Sequence, residues 1–370
     1  EPKKRCESWC LGHPAILQEK CTWSTLACVD CDECSDIHQT DDSLWKIKSF
    51  NTKPTEESIN LIVVLCNEEL LINYFIEHYI KLGVTHFTFI DNKSTDTTLE
   101  KILEYDNINS QVFYTSDSYA KNDYGMAWVN GILRSQLKNL WCIVVDVDEL
   151  FMFRNENETL NTLRNKMEDA GKNSTNCCLI DFYPENLNSG NKLDKSIYQS
   201  KIDFLSHSNY YDKFNQQDLV IYEGHDGVTA VKGGMRHRVF GTNEGGERVS
   251  LTKKSFFKNE MYDTHTLSVG MHWWIPHNFT DWQNYDKWDE SNKHIKFYND
   301  IFAIGHFKFL KPNIYEYFNY RVKRGQDWND SEEYKKYLSS KPSHLLDKNI
   351  SKNYTCVNDF YKNTIDYLKK

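Results

Sequence analysis

The chain has 370 residues, enough for one large α/β domain with an appendage or for two domains. Its formal net charge of −9 lacks the basic footprint that nucleic acid requires, so no nucleic-acid partner is expected. Aromatic content of 14% suits sugar-stacking surfaces and ordinary cores alike, and no apolar run is long enough for a transmembrane helix.

Six of the 11 cysteines fall at Cys6, Cys10, Cys21, Cys28, Cys31 and Cys34. Residues 1–45 therefore read as a small disulfide-stapled module. Zinc is the rival, because Cys28-x-x-Cys31-x-x-Cys34 has ligand-like spacing, but no second Cys-x-x-Cys pair stands at zinc-ribbon distance. Sequons at Asn157, Asn173, Asn278, Asn329, Asn349 and Asn353, among others, suit a glycoprotein of a Golgi-like secretory lumen. A cytoplasmic chain with bound zinc is the alternative. The first residue is Glu1 rather than Met, which agrees with removal of an N-terminal signal or membrane anchor.

Residues 46–58 read as a polar linker, and the domain proper as 46–370. Leu61–Leu65 is a continuous apolar run, suited to a strand buried on both faces. A helical stripe from Leu70 to Leu82 follows, with Gly83 where a terminating glycine belongs. His86–Ile90 is a second strand. Thr97 and Glu100 have capping-box spacing for a helix through Tyr105. Gln111–Tyr114 is a third strand, and a helix over roughly 125–137 leads to a fourth at 141–147. Strands alternating with helices imply an α/β fold with a mostly parallel sheet. Ligands of such sheets bind beyond the carboxyl ends of the strands. Asn67, Asp91 and Asp146 all stand at those ends.

The fourth strand carries the densest chemistry. Asp146, Asp148 and Glu149 follow an apolar run, where burial of charge is costly unless it is paired or bound to a metal. On an extended strand Asp146 and Asp148 share a face. Two hard oxygen donors there suit Mn2+ or Mg2+. A solvated acidic turn is the other reading. Farther on come a polar stretch over 184–230, Gly233-Gly234 ahead of Arg236 and Arg238, His272-Trp273-Trp274, a strand around 303–309, and helical periodicity over 314–323 and near the C-terminus.

Leu65-Cys66-Asn67-Glu68-Glu69 and Tyr74–Val84, with Asp91-Asn92-Lys93-Ser94-Thr95-Asp96-Thr97, resemble glycosyltransferases related to families 2 and 92. Asp146-Val147-Asp148-Glu149 resembles their D-x-D metal motif. Gly233–Phe240, Leu251–Lys254 and His306-Phe307-Lys308 resemble downstream blocks, so the likeness spans about residues 60–325.

The resemblance implies a GT-A (Rossmann-like) fold and a nucleotide-diphosphate sugar donor. By matching position, Cys66, Asn67 and Glu68 lie along the nucleoside and Asp91 binds base or ribose. The metal bridges the D-x-D acids and the diphosphate. A uridine donor, a glycan or glycosylated acceptor and inversion at the sugar are the expectations.

Other residues keep two readings. Ser94 binds nucleotide or caps the next helix. Arg236, Arg238 and Lys308 meet the diphosphate or form a surface basic turn. His306 ranks before His265 and His272 as a third metal ligand. Glu149, Asp263 and Glu260 are candidates for the general base, with Asp148 at the reacting centre. Trp273, Trp274, Trp282 and Trp288 stack acceptor sugars or fill the core.

A phosphatase of the haloacid-dehalogenase type also carries D-x-D, but on its first strand. A dinucleotide oxidoreductase is a weaker reading still, since no G-x-G-x-x-G follows the first strand. A non-catalytic carbohydrate-binding protein derived from a transferase is the alternative to an enzyme.

Overall fold

The computed structural model describes residues 38–41, 44–187, 208–216, 219–224, 227–241, 249–277, 294–311, 313–340, 342 and 345–369. The six clustered cysteines, Asn278, Trp282 and Trp288 lie outside the described residues. Among the described residues, no helix is long and apolar enough to cross a membrane.

Strands β1 (His38–Asp41) and β2 (Leu44–Lys48) precede β3 (Ile59–Leu65), α1 (Ile72–Lys81), β4 (His86–Asp91), α2 (Thr98–Leu103), β5 (Asn109–Tyr114), α3 (Met126–Gln136) and β6 (Trp141–Val144). Then come β7 (Glu149–Met152), α4 (Leu160–Asp169), β8 (Ser174–Asp181), β9 (Tyr210–Asp212), β10 (Leu219–Gly224), β11 (Gly227–Gly233) and α5 (Gly234–Phe240). The chain continues through β12 (Thr252–Lys253), β13 (Phe256–Lys258), β14 (His265–Leu267), β15 (Trp274–Pro276), β16 (Phe297–His306), α6 (Ile314–Arg324), α7 (Trp328–Ser340), β17 (Ser351–Asn353) and α8 (Val357–Asn363).

Eleven strands share one sheet, in the order β1-β2-β5-β4-β3-β6-β13-β8-β16-β7, with β12 on β8. The middle is parallel: β3 pairs with β4 and β6, and β4 with β5. Strand β13 is antiparallel to both β6 and β8, so β8 runs with β6. Strand β16 is parallel to β8. Leu65, Asp91, Val144, Asp181 and His306 therefore all end at one edge. The α/β architecture with a mostly parallel centre is the one expected.

Alternation along β3 divides the core. Leu61, Val63 and Leu65 pack with α1, α2 and α4, while Ile62 packs on the other face with α3 and Trp274. Helix α1 buries Ile72, Phe75, Ile76 and Tyr79, one stripe at helical spacing. A third apolar cluster lies under α5, α6 and α7.

Three expectations change. The sheet starts earlier, because β2 pairs with β5 and β1 with β2, so the boundary expected at residue 45 falls inside β2. Thr97 does precede α2, but its hydroxyl donates to Glu69 Oε2 at 2.8 Å instead of capping the helix, which ends at Leu103. Strand β6 stops at Val144, so Asp146 and Asp148 lie in a turn between β6 and β7 rather than on one extended face. The Glu149 amide closes that turn onto the Asp146 carbonyl at 3.0 Å.

Gly83 stands at φ 92°, and a Cβ there would meet Asn161 Nδ2 at 2.8 Å. Gly83→Ala is expected to cost about 1–2 kcal/mol, read as a shifted urea midpoint. A second expectation concerns pH. Burial, ahead of Lys81 for His78 and of Lys253 for His272, pushes both imidazoles from 6.5 down to about 4. At these two sites the unfolded chain binds more protons than the native one in that interval. Their contribution to stability is complete above about pH 6.5 and falls as pH drops toward 4. Denaturation midpoints of wild type and His78→Phe between pH 4 and 8 isolate the slope, and parallel profiles for the two proteins would count against it.

Candidate active site

Two loops at the carboxyl edge are joined by side-chain-to-backbone bonds. The Asn67 amide donates to Ser94 Oγ at 2.9 Å, and the Thr95 amide to Asn67 Oδ1 at 2.7 Å. The Glu68 amide donates to Thr98 Oγ1 at 2.7 Å, and the Glu69 amide to Asp96 Oδ2 at 3.1 Å. Asp91 is fully buried and accepts the Ser94 amide on Oδ1 at 2.9 Å. Burial pushes its carboxyl up to about 6. Ser94 and Asp91 thus shape the loop from within. Asn67, at φ 58°, turns its amide to the Tyr320 hydroxyl at 3.3 Å. Cys66 lies beside it, half-buried, with its thiol directed to the Lys93 carbonyl.

The acidic turn divides its carboxylates. Asp146 is 50% exposed and Asp148 20%, whereas Glu149 is 1% exposed and points inward. Lys253 Nζ holds Glu149 Oε1 at 2.7 Å and stands 3.9 Å from Asp146 Oδ2. Tyr79 reaches in from α1, its hydroxyl donating to the Glu149 carbonyl at 2.8 Å. Partial enclosure, then the Glu149 carboxylate, push Asp146 up to about 7. Burial pushes Asp148 up as well, but His306, Lys311, Lys308 and Arg321 outweigh it and hold this acid below its ordinary value.

His306 comes to this turn because β16 pairs with both β7 and β8, placing it opposite Glu149 and Asp181. Its Nε2 stands 3.6 Å from Asp148 Oδ2, and its Nδ1 2.7 Å from Asp181 Oδ1. Arg236 Nε donates to Asp181 at 2.9 Å, and its Nη1 to Glu333 Oε1 at 3.0 Å. Lys308 Nζ meets Glu333 Oε2 at 2.7 Å. Among the described residues, no three acidic, His or Cys side chains converge to enclose an ion. Mn2+ or Mg2+ that keeps water and phosphate oxygens needs only one or two protein ligands. An imidazole whose far nitrogen is held by a carboxylate is the arrangement that orients metal-bound histidines. Asp148 and His306, with Asp146 open beside them, therefore fit a divalent cation.

Four cations border the same edge. Besides Lys308, Lys311 pairs with Glu68, and Arg321 clamps Asp327 from α6 with Nε–Oδ2 at 2.9 Å. Arg324 Nη2 donates to the Asn92 amide oxygen at 2.6 Å. Lys311, Arg321 and Arg324 were not read from the sequence as site residues. Arg321 and Arg324 did leave a signal, cations three apart on one helical face in a chain of opposite overall charge, whereas Lys311 precedes that helix.

Several expected ligands are instead engaged with protein. Arg236 is buried on Asp181 and Glu333, and Arg238 forks onto Asp212 at 2.8 and 2.9 Å. Glu68 serves Lys311. Asp263 is not brought to the acids. Lys258 pairs opposite Trp141, and the Asn259 amide bonds the Leu140 carbonyl, so the chain after β13 lies at the amino end of β6. The ring of Tyr262 sits under Lys138 there, and Glu260 bonds Asn173. His265 belongs to that hairpin, and His272 sits behind Lys253 with Nδ1 bonded to the Thr252 carbonyl. Trp274 is core, edge-on to Phe257.

The Glu149–Lys253 pair yields a test. Glu149→Gln leaves a buried ammonium without its carboxylate and is expected to cost about 3–5 kcal/mol in chemical denaturation. Glu149→Gln with Lys253→Met removes both charges and should recover much of the loss. A single variant of native stability would show that the pair has no structural weight.

No curated protein sequence matches the chain. Among solved structures, similarity extends to HddC from Yersinia pseudotuberculosis, at 9% identity over 55% of this chain and 78% of that one, TM-score 0.29. It extends to the inositol-1-phosphate CTP transferase from T. maritima, at 9% identity over 76% and 96%, TM-score 0.32. GalNAc-T7 with UDP, GalNAc and Mn2+ is similar at 10% identity over 77% of this chain and 55% of that one, TM-score 0.35. Such remote likenesses say nothing of substrate. The model of glycosyltransferase family 92 matches residues 67–354, a span that holds the two zipped loops, the acidic turn, His306 and the cations of α6. The chain belongs to glycosyltransferase family 92.

Proposed function

We propose that this chain is a metal-dependent transferase that moves a sugar from a uridine-diphosphate donor to a glycan or glycosylated acceptor, with inversion. The observation that carries this reading is the meeting of Asp148 and His306 with Lys308, Lys311, Arg321 and Arg324 at one edge of the sheet. Sugar transfer leaves negative charge on the departing diphosphate, and fixed cations aimed at it stabilise the transition state more than the ground state.

Asp148 and His306 would hold Mn2+ or Mg2+, with Asp146 completing the set. The cation supplies further charge neutralisation at the diphosphate. Lys308, Lys311 and Arg321 each hold a carboxylate, whereas Arg324 donates to the amide oxygen of Asn92. Its guanidinium can turn to a phosphate at little cost. Cys66, Asn67 and Tyr320 would line the nucleoside, with Asp91 and Ser94 fixing the loop behind them. Asp181 and Arg236 would keep His306 Nδ1–H engaged, which leaves Nε2 as the coordinating atom.

None of the three sequence candidates is favoured as acceptor of the hydroxyl proton in this reading. Glu149 is enclosed by Lys253, and Glu260 and Asp263 follow β13 at the opposite end of β6. Placement in a secretory lumen belongs to the same reading and rests on the cysteines and sequons.

Calorimetry with a panel of nucleotide sugars, with and without Mn2+, tests the proposal. One uridine donor is expected to bind only with the metal. Asp148→Ala should weaken it by at least about a hundredfold, and Arg324→Ala by about tenfold. Failure of folded wild-type protein to bind any donor would favour a non-catalytic carbohydrate-binding protein instead.

A further inference from the structure

Among the described residues, the large hydrophobic side chains open to solvent are Ile80, Tyr320 and Trp328, and Trp328 is the most open at 66%. A single exposed aromatic is ordinary. The surroundings of Trp328 are not. Its ring lies 5.3 Å from that of Tyr124. Tyr124 in turn meets Tyr119 edge to face, with centroids 6.1 Å apart. Tyr119 and Val64 both flank Gly125, and Val64 stands two residues beyond Ile62, the partner of Val144, so this third ring lies at the carboxyl ends of β3 and β6, where the acidic turn begins. A row of aromatic rings thus runs from that edge of the sheet to solvent.

The mount under Trp328 is rigid. Asp327, immediately before it, is forked onto Arg321. Gln326 Oε1 accepts the Ser118 hydroxyl at 2.7 Å and the Ala120 amide at 3.2 Å, joining the loop after β5 to the α6–α7 junction. Asn329, Asp330 and Ser331 are left-handed at φ 49°, 52° and 61°, and Asp123 and Tyr124 at 51° and 53°. Such backbone is costly and persists only where its surroundings impose it. The Ser331 hydroxyl, buried, donates to the Arg321 carbonyl at 3.2 Å. The exposed indole therefore loses little freedom on binding, which favours recognition. Asp123, next to Tyr124, is exposed and offers a carboxylate to hydroxyl groups, and Asp330, two residues after Trp328, is exposed with its carboxylate held by Lys335 at 2.6 Å.

We propose that Trp328 and Tyr124 form a platform on which a neutral pyranose of the acceptor glycan stacks, its reacting hydroxyl directed past Tyr119 toward Asp146. The C–H face of the sugar covers the rings, and the flanking acids accept its hydroxyl protons. This subsite rests on the transferase reading, because it orders the acceptor relative to the donor side at Cys66, Asn67 and Arg324. The sequence-based candidates Trp273 and Trp274 are engaged elsewhere, since Trp274 is core and the Trp273 ring stands by Lys254.

An array of neutral oligosaccharides ending in galactose, N-acetylglucosamine, mannose or fucose, probed with the full chain, tests the platform. Wild type is expected to retain one terminal class. Trp328→Ala should lose at least about tenfold in retention, while Trp328→Phe keeps most of it. An exposed indole can be truncated with little loss of stability, and the melting temperature checks this. Calorimetric donor binding should be the same in all three proteins. Full retention by Trp328→Ala would overturn the platform, and so would wild type that retains no neutral glycan. Retention that depends on Trp328 in protein that binds no nucleotide sugar would uphold the platform and overturn the transferase reading. Asn329 begins a sequon beside Trp328, so Asn329→Gln is run from the same glycosylating host. Equal retention supports an acceptor role. A gain would show that the chain's own glycan covers the rings and would overturn it.

Discussion

Asp181 is the charge on which the edge of this sheet depends. It is buried between Arg236 and the inner nitrogen of His306. Burial pushes its carboxyl up, but Arg236 and then His306 prevail and hold it below its ordinary value. A buried ion cluster of this kind contributes little net stability, and a hydrophobic replacement of equal volume often does as well. Its yield is geometry. With Asp181 fixed, His306 has one ring orientation, and its outer nitrogen faces Asp148. Arg236 continues the chain to Glu333, and Glu333 to Lys308 and Tyr337. One network thus sets the positions of an acid, an imidazole and a cation around a single space. Removing any member leaves a neighbour buried and unpaired, which costs more than the link itself.

The parts of the fold that were legible in the sequence are those with local causes. β3 and β4 show as apolar runs because both of their faces are covered. Helix α1 shows as a stripe, and Gly83 as its terminator, because only neighbours in sequence decide them. The convergence of Asn67, Asp91 and Asp146 was legible through topology alone, since a parallel sheet places all carboxyl ends together. The shape of the acidic turn was not. Nothing in an apolar run shows that pairing with β13 takes β6 only as far as Val144.

Partners far apart in sequence account for the other differences. Asp181 and His306 are 125 positions apart, and Lys311 and Glu68 are 243 apart. Periodicity carries no trace of such pairs. Arg236 and Arg238 looked free for a ligand because Asp181, Glu333 and Asp212 could not be seen beside them. Asp263 looked usable until the direction of β13 placed it at the other end of β6. His306 already ranked before His265 and His272 from its neighbours in sequence, but the acids it meets needed the register of β16 against β7 and β8. Thr97 had capping spacing, yet Glu69 from the neighbouring loop took its hydroxyl.

Charge behaves differently at two ranges. Over the whole molecule the balance is −9, which repels a nucleotide sugar approaching from afar. Salt screens that repulsion beyond about 8–10 Å. Within the edge, Lys308, Lys311 and Arg321 act on Asp148 at close range, and Arg324 stands on the neighbouring loop at Asn92. Three of the four are already paired with carboxylates, so they are poised without being uncompensated. Under the proposed transfer, such pairing would temper ground-state attraction for the donor. It would also leave positive charge whose hold strengthens as further negative charge grows on the leaving diphosphate. That difference between the two states, rather than tight binding of the donor, is what accelerates a transfer.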